Sequence, residues 1–163
     1  MVTNSEVFLR EKEGAKGTLA RQLFEQGYNC AQSVAGAFAA EMGMPQTMVF
    51  RLVSGFGGGM GRLREVCGAV TGMFFVLSVL YGYEDPKADE KKTELYTRVQ
   101  TLAQAFAKEN GSIVCRELLG LKEKTQAPTP EKRTAAYYAK RPCGQLVAQA
   151  ANLLQDHLEA NGK

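Results

Sequence analysis

The chain has 163 residues, with 20 lysines and arginines against 17 aspartates and glutamates, and a formal net charge of +3. Its basic residues are scattered and lack interleaved aromatic residues, which argues against nucleic-acid binding and favours an ordinary solvated surface. This length predicts one domain, residues 1–163 with a core over about 11–160, that can bury enough surface to need no disulfides.

The N-terminal sequence is polar and charged, and it lacks the apolar segment of a secretion signal. The most apolar stretch, residues 69–80, is about 12 residues long, whereas roughly 20 are needed to span a bilayer. We therefore expect a soluble, cytoplasmic protein with no membrane span. In a reducing cytoplasm, four cysteines favour ligand, redox or packing roles over structural cross-links.

Helical periodicity dominates the first half of the chain, and no run of β-branched residues alternates with polar ones as in a strand. A first helix is predicted over about 11–26. The second begins after Asn29, an N-cap whose capping box Gln32 completes, and runs to about residue 42. Pro45 opens a short helix to about residue 53, a glycine-rich loop follows, and a buried helix covers about 65–81.

The second half is also predicted to be helical. Asp85 and Pro86 supply the N-cap and first position of the longest helix, which Gly111 ends. Ser112 caps a short helix to about residue 119, residues 122–130 form an exposed loop, and another short helix covers about 131–140. Pro142 opens the last helix, which ends near residue 161. The predicted fold is all-α, a compact bundle of about six to eight helices with short loops.

The cysteines all fall in or beside the first turn of a predicted helix. They are Cys30, Cys67, Cys115 and Cys143. A helix start carries unpaired N–H groups and a partial positive charge, which favour thiolate over thiol and should lower the pKa of such a cysteine. Because thiolate is the form that binds metals and attacks electrophiles, we hypothesise that the four side chains meet at one site.

Four interpretations of the cysteines remain open. Free cysteine is often simply buried, which would suit a structural or interaction domain. Zinc sites usually draw their ligands from close pairs such as C-x2-C, whereas the separations here are 37, 48 and 28 residues. Thioredoxin-like exchange uses C-x-x-C, which is absent, although two distant cysteines can still pair across helices. Four thiolates, one from each helix, also suit an iron–sulfur cluster.

The glycine-rich loop places five glycines within residues 55–61, shortly before Cys67. It lacks the Gly-Lys-Ser/Thr of a P-loop and the third glycine of a dinucleotide fingerprint. Left-handed turns and close backbone approach explain these glycines better. Such a loop can wrap a cofactor and direct N–H groups at its sulfurs, or it can simply connect two helices tightly. The candidate cofactor-binding residues are Gly57, Gly58, Gly59 and Gly68.

A family resemblance covers about 120 residues. It rests on Gly-Tyr-Asn-Cys-Ala-Gln at 27–32, the glycines of 57–61, Cys-Gly-Ala-Val-Thr-Gly at 67–72, Cys115, and Cys143 with Gly144. In these features the chain resembles the C_GCAxxG_C_C family of small redox-active proteins. The resemblance implies a redox role centred on the four cysteines. Because family members are typical of anaerobes and a similar domain occurs beside haem-binding segments, it favours an oxygen-sensitive metal centre over structural zinc.

The resulting hypothesis is a redox protein whose four cysteines ligate one iron–sulfur cluster or iron, for electron transfer or redox sensing. A crystal grown in air would then hold none. A redox partner protein is expected, and no nucleic acid. One alternative is a thiol–disulfide oxidoreductase that uses a cysteine pair. Another is a structural interaction domain, including a homodimer, whose cysteines are packed or bind zinc.

Overall fold

A computed structural model describes residues 14–163 and shows an all-α fold, as predicted. Eight helices carry it, and in chain order they are α1 (Ala15–Glu25), α2 (Cys30–Ala37), α3 (Gln46–Val53), α4 (Gly68–Tyr81), α5 (Asp89–Asn110), α6 (Cys115–Leu118), α7 (Ala135–Lys140) and α8 (Cys143–Ala160). A 3₁₀ turn, Ser54–Phe56, and the short turn Gly57–Met60 lie between α3 and α4. None of these helices is both long and apolar enough to cross a membrane.

Helix α2 lies at the centre and packs against α1, α3, α4 and α8, while α8 packs most extensively on α1. The predicted capping box that starts α2 is confirmed. The Asn29 side chain accepts a hydrogen bond from the Gln32 N–H at 2.9 Å, and the Gln32 side chain accepts one from the Asn29 N–H at 3.1 Å. Both helix-start donors are thereby satisfied, which fixes where the backbone becomes helical.

Helices α2 and α4 approach each other closely through two glycines of α4. A Cβ atom at Gly72 would lie 3.0 Å from the Cβ of Val34, and one at Gly68 would lie 3.0 Å from the Cβ of Cys30. Such distances are tighter than ordinary Cβ contacts, so a side chain at either position would require the neighbouring helix to shift. The four-residue glycine spacing therefore serves close helix packing, and it brings the start of α2 against the start of α4.

Two predicted helix starts are wrong. Helix α4 begins at Gly68 and not near residue 65, because residues 65–67 are extended and pair with another segment. Helix α5 begins at Asp89 with Ala88 as its N-cap, and not at Asp85 and Pro86. The Asp85 carboxylate instead accepts a hydrogen bond from the Lys87 N–H at 2.9 Å, which closes a local turn.

The remaining boundaries shift by a few residues. Helix α2 ends at Ala37, earlier than predicted, and α7 begins at Ala135 behind the N-cap Thr134. Val114, and not Ser112, is the N-cap of α6, and the Ser112 hydroxyl accepts from the Val114 N–H. The predicted start of the first helix at residue 11 lies outside the described residues.

Candidate functional site

The four cysteines line one cavity with a volume of about 60 Å³. Cys30, Cys115 and Cys143 are the first residues of α2, α6 and α8, and Cys67 is the N-cap of α4. The predicted placement at helix starts is therefore confirmed. All four are free thiols, and three are buried while Cys30 is partly exposed. Four helices that are distant in sequence direct their N-terminal ends toward one small space.

A single antiparallel bridge fixes two of the cysteines relative to each other. Val66 pairs with Val114, so that Cys67 and Cys115 follow directly on the two paired segments. The Cys67 N–H donates to the Ile113 carbonyl at 2.8 Å, and the Cys115 N–H donates to the Glu65 carbonyl at 2.6 Å. Because these bonds join backbone to backbone, they set the separation of the two cysteines independently of side-chain identity.

The glycine-rich loop forms a left-handed turn beside the cysteines. Five consecutive residues, 58–62, have φ angles between +59° and +72°. Left-handed backbone costs an L-residue roughly 1–2 kcal/mol and costs glycine little, which explains the glycines at three of these positions. The turn closes when the Glu65 N–H donates to the Gly59 carbonyl at 2.9 Å. The predicted left-handed role of the loop is thus confirmed.

Three of the four candidate glycines, Gly58, Gly59 and Gly68, line the cysteine cavity. Of these three, Gly59 is the most constrained, because its φ is positive and a Cβ there would lie 2.6 Å from the Cβ of Cys115 and 2.8 Å from the Cα of Arg64. Gly57 lies instead in an adjoining cavity, and a Cβ there would lie 2.4 Å from the Asn29 side chain. These glycines let the loop backbone pack directly against the cysteine-bearing helix starts.

A buried arginine, which the sequence analysis did not single out, reaches the site. Arg64 is 5% exposed, and its Nη1 donates to the Cys115 sulfur at 3.4 Å. Its Nε and Nη2 donate to the Gln126 side-chain oxygen at 3.0 and 2.7 Å. The guanidinium therefore joins a cysteine of the site to the segment that follows α6.

Two further arginines and a tyrosine line the cavity: Arg133, Arg141 and Tyr137. Arg133 donates to the carbonyls of Phe24 and Tyr28 at 3.2 and 3.1 Å, and its guanidinium lies 4.8 Å from the centre of the Tyr137 ring. The expectation that the basic residues lie on a solvated surface is therefore wrong for these arginines. No local pattern in the sequence distinguishes these arginines from charges on a solvated surface.

The thiols of Cys30 and Cys143 shift each other's pKa. Hydrogen bonding from the Cys30 thiol, together with Arg141, Arg64 and Arg133, lowers the pKa of Cys143 to about 7 against the opposing effect of burial. The same hydrogen bonding and the burial of its thiol raise the pKa of Cys30 well above its ordinary value. Of the two thiols, Cys143 is therefore the one that ionises first.

Helix-start placement did not lower every cysteine pKa as predicted. Burial raises the pKa of Cys67 to about 12, although the N–H groups of Ala69 and Val70 at the start of α4 oppose that rise. The prediction is wrong for Cys30 and Cys67, because desolvation and the neighbouring thiols outweigh the field of the helix start. It holds for Cys143, which has a thiol donor and several arginines around it.

The cavity does not present a ready-made ligand set for a metal. Within residues 14–163, no three or more histidine, cysteine, aspartate or glutamate side chains are grouped closely enough to hold a metal ion. The four thiols share one cavity, and the strongest effect of one thiol on the pKa of another is between Cys30 and Cys143. A shared metal centre therefore stays a prediction.

The thiolate character of Cys143 gives a first prediction. In metal-free, reduced protein, we expect the alkylation rate of Cys143 by iodoacetamide to rise with pH through an inflection at about pH 7. Replacing Cys30 by alanine should move that inflection to higher pH, because the thiolate loses its donor. Cys30→Ser is the matched control, since its hydroxyl can still donate. Site-resolved mass spectrometry measures the rates, and equal inflections in the two variants would contradict the assigned pair.

The fold and site define an all-α protein with a buried four-cysteine, arginine-lined cavity at converging helix starts. The chain belongs to the family described as "Putative redox-active protein (C_GCAxxG_C_C)", which it matches over residues 28–157. That range covers most of the chain and includes every cysteine. The predicted family is confirmed. Searches of curated proteins and of solved structures found no match.

Proposed function

We propose that the four cysteines form one redox centre that holds an iron–sulfur cluster and serves electron transfer or redox sensing. The observation that carries the proposal is that four cysteines, spread over more than a hundred residues, line a single cavity at four helix starts. Four cysteine thiolates are the usual ligand set of such clusters. Membership of a redox-active family supports the same conclusion.

The charge around the cavity suits this use. Four thiolates in a buried space repel one another, and the raised pKa values of Cys30 and Cys67 reflect that cost together with desolvation. Three lining arginines, Arg64, Arg133 and Arg141, supply positive charge that would offset thiolate ligands. The glycine turn has no side chains at three of its positions, so its backbone packs closely against the cysteines and limits the access of water to the cavity.

Cys30, Cys67, Cys115 and Cys143 would hold the cluster. When bound, the cluster would accept and release single electrons. Arg64 would keep Cys115 oriented through its hydrogen bond to the sulfur, and the Val66–Val114 bridge would keep Cys67 and Cys115 in register. The chain's own contribution is thus to position thiolates, compensate their charge and exclude solvent.

The test is the content of iron, acid-labile sulfide and zinc per chain, with a visible spectrum, on protein purified without oxygen. We expect stoichiometric iron and sulfide with thiolate-to-iron bands. Each of the four cysteine-to-alanine variants should lose most of the iron. Ser33→Ala is a control, because Ser33 is a small buried residue of α2 that lies outside the cavity lining.

A colourless protein without iron or sulfide would overturn the cluster proposal. Stoichiometric zinc in its place would support a structural site. If Cys67→Ala and Cys115→Ala kept full iron, the four-ligand arrangement would be wrong even if a metal were present.

Cys30 and Cys143 line the same cavity and shift each other's pKa, which favours a second candidate, a dithiol–disulfide couple. In it the two thiols lose two electrons and two protons to an oxidant such as a partner disulfide, which is reduced to two thiols, and a sulfur–sulfur bond forms between them. Mild oxidation of metal-free protein should then remove two of the four thiols. Cys67→Ala and Cys115→Ala would leave this reaction intact, whereas Cys30→Ala and Cys143→Ala would abolish it.

A further inference from the structure

A larger cavity adjoins the cysteine site, with a volume of about 380 Å³. We call it the arginine cavity, because Arg62, Arg64, Arg133 and Arg141 all line it. Three of these arginines also line the cysteine cavity, so that the two spaces share a wall. Anything bound in the larger cavity would therefore lie beside the thiols.

The arginine cavity carries an excess of positive charge. Among the described residues that line it, Glu131 is the one acidic side chain. Its carboxylate accepts a hydrogen bond from Arg141, and it lies 3.9 Å from Arg62. The other hydrogen-bond partners of Arg62 are the Ala127 carbonyl and the Gln126 side chain, which carry no charge. One carboxylate thus faces four guanidinium groups.

These guanidinium groups also retain hydrogen-bonding capacity. Each carries five N–H donors. In the described structure Arg62 and Arg133 donate two hydrogen bonds each, Arg64 donates three and Arg141 donates one. Planar guanidinium groups bind carboxylate and phosphate oxygens with paired hydrogen bonds. The cavity therefore offers both the charge and the donors that an oxyanion needs.

The arginines lie too deep for the acidic surface of a protein partner. The side chains of Arg62 and Arg141 are 17% and 14% exposed, and Arg64 is 5% exposed. Cations that contact a protein partner lie at the surface, whereas recessed ones are reached by a small molecule. The cavity volume also falls within the roughly 300–1,000 Å³ of small-molecule sites.

We propose that the arginine cavity binds a small anionic molecule, carrying a carboxylate or phosphate group, against the wall that it shares with the cysteines. Arg62 and Arg141 bind the anion, and in its absence their guanidinium groups interact with the Glu131 carboxylate. The further idea that this anion is the substrate of the redox centre rests on the proposed function. The proposal that the cavity binds an anion is independent of it.

The binding is tested by calorimetric titration of reduced, metal-free protein with inorganic phosphate and with malonate, at low chloride. We expect saturable binding of one or both. Arg62→Gln should weaken it about tenfold or more, because a charge-assisted contact is lost. Glu131→Gln should tighten it several-fold, because the competing carboxylate becomes neutral while its shape is kept. Arg51→Gln, an exposed arginine of α3, is the control and should leave the affinity unchanged.

The Glu131→Gln variant distinguishes a specific effect from misfolding, because a misfolded protein would not bind the anion more tightly. The proposal is overturned if neither phosphate nor malonate binds, or if Arg51→Gln weakens binding as much as Arg62→Gln. The second result would mean that diffuse surface charge attracts the anion. An unchanged affinity in Glu131→Gln would likewise contradict it.

A second measurement locates the anion beside the cysteines. We compare the alkylation rate of Cys143 by anionic iodoacetate with that by neutral iodoacetamide in the same metal-free protein. Arg62→Gln should lower the ratio of the two rates, Glu131→Gln should raise it, and phosphate should inhibit iodoacetate selectively. A ratio insensitive to all three would place the bound anion elsewhere and overturn the proposal. Neither measurement uses iron or electrons, so failure of the cluster proposal would leave both results interpretable.

Discussion

Replacing Gly59 by alanine is expected to destabilise the fold and disorder the cysteine site. Gly59 has a φ of +67°, which costs an alanine about 1–2 kcal/mol. The added Cβ would also lie 2.6 Å from the Cβ of Cys115 and 2.8 Å from the Cα of Arg64, so that the loop or α6 must move. Overpacking of this kind costs about 1–3 kcal/mol more. We expect a total loss of about 2–5 kcal/mol in the free energy of unfolding, measured by urea denaturation.

Gly120 provides a matched control for this prediction. Its φ is +64°, and a Cβ there would have no atom within 4 Å. Gly120→Ala therefore carries the backbone cost without the collision, and it should lose only about 1–2 kcal/mol. Gly59→Ala should in addition increase the alkylation of Cys115. If the two variants lost the same stability, close packing against Cys115 would not be what constrains Gly59.

Arg64→Met is expected to be the most damaging change of a charged side chain. The variant loses two hydrogen bonds to Gln126 and one to Cys115, all from a guanidinium that is almost fully buried. A hydrogen bond from a charged group contributes about 1.5–3 kcal/mol, but two of these bonds share the Gln126 oxygen as acceptor. We therefore expect the free energy of unfolding to fall by about 2–4 kcal/mol. The pKa of Cys143 should also rise from about 7, because Arg64 is one of the charges that lower it.

Two variants separate these effects. Arg51→Met removes a charge from an exposed position of α3 and should change stability by less than about 0.5 kcal/mol. Arg64→Lys keeps the charge but cannot reach Gln126 and Cys115 together, so that it should retain part of the effect on Cys143 while still losing stability. Thermal or urea unfolding and the pH profile of Cys143 alkylation measure the two quantities. A fully stable Arg64→Met protein would show that the buried guanidinium is dispensable.

Local signals in the sequence were sufficient for the helix starts that carry three of the cysteines. Asn29 and Gln32 form their capping box within four residues, and Pro142 precedes α8 as expected. Cys115 also begins a helix, although Val114 and not Ser112 is the N-cap. The predicted start of α5 at Asp85 and Pro86 was wrong because an aspartate that starts a turn has the same short-range sequence pattern as an aspartate that caps a helix.

The features that assemble the site are non-local, and no short-range pattern encodes them. The Val66–Val114 bridge joins segments 48 positions apart through a single residue pair, which is too short to produce an alternating pattern. From its sequence neighbours, Arg64 resembles an ordinary solvated charge between two glycine motifs. Its contacts with Gln126 and Cys115, which are distant in the sequence, account for its burial. Whether a charged residue lies at the protein surface or lines a cavity depends on the packing of helices that are distant in the sequence.

The packing of α8 on α1 also has a consequence for the order in which the site is made. Chains are synthesised at about 5–20 residues per second, so Cys143 emerges about 6–23 s after Cys30. Until Cys143 emerges, the cysteines already made lack the side of the cavity that the start of α8 and its neighbouring Arg141 supply. We therefore expect the thiols to be more readily oxidised in this interval than after α8 has packed on α1.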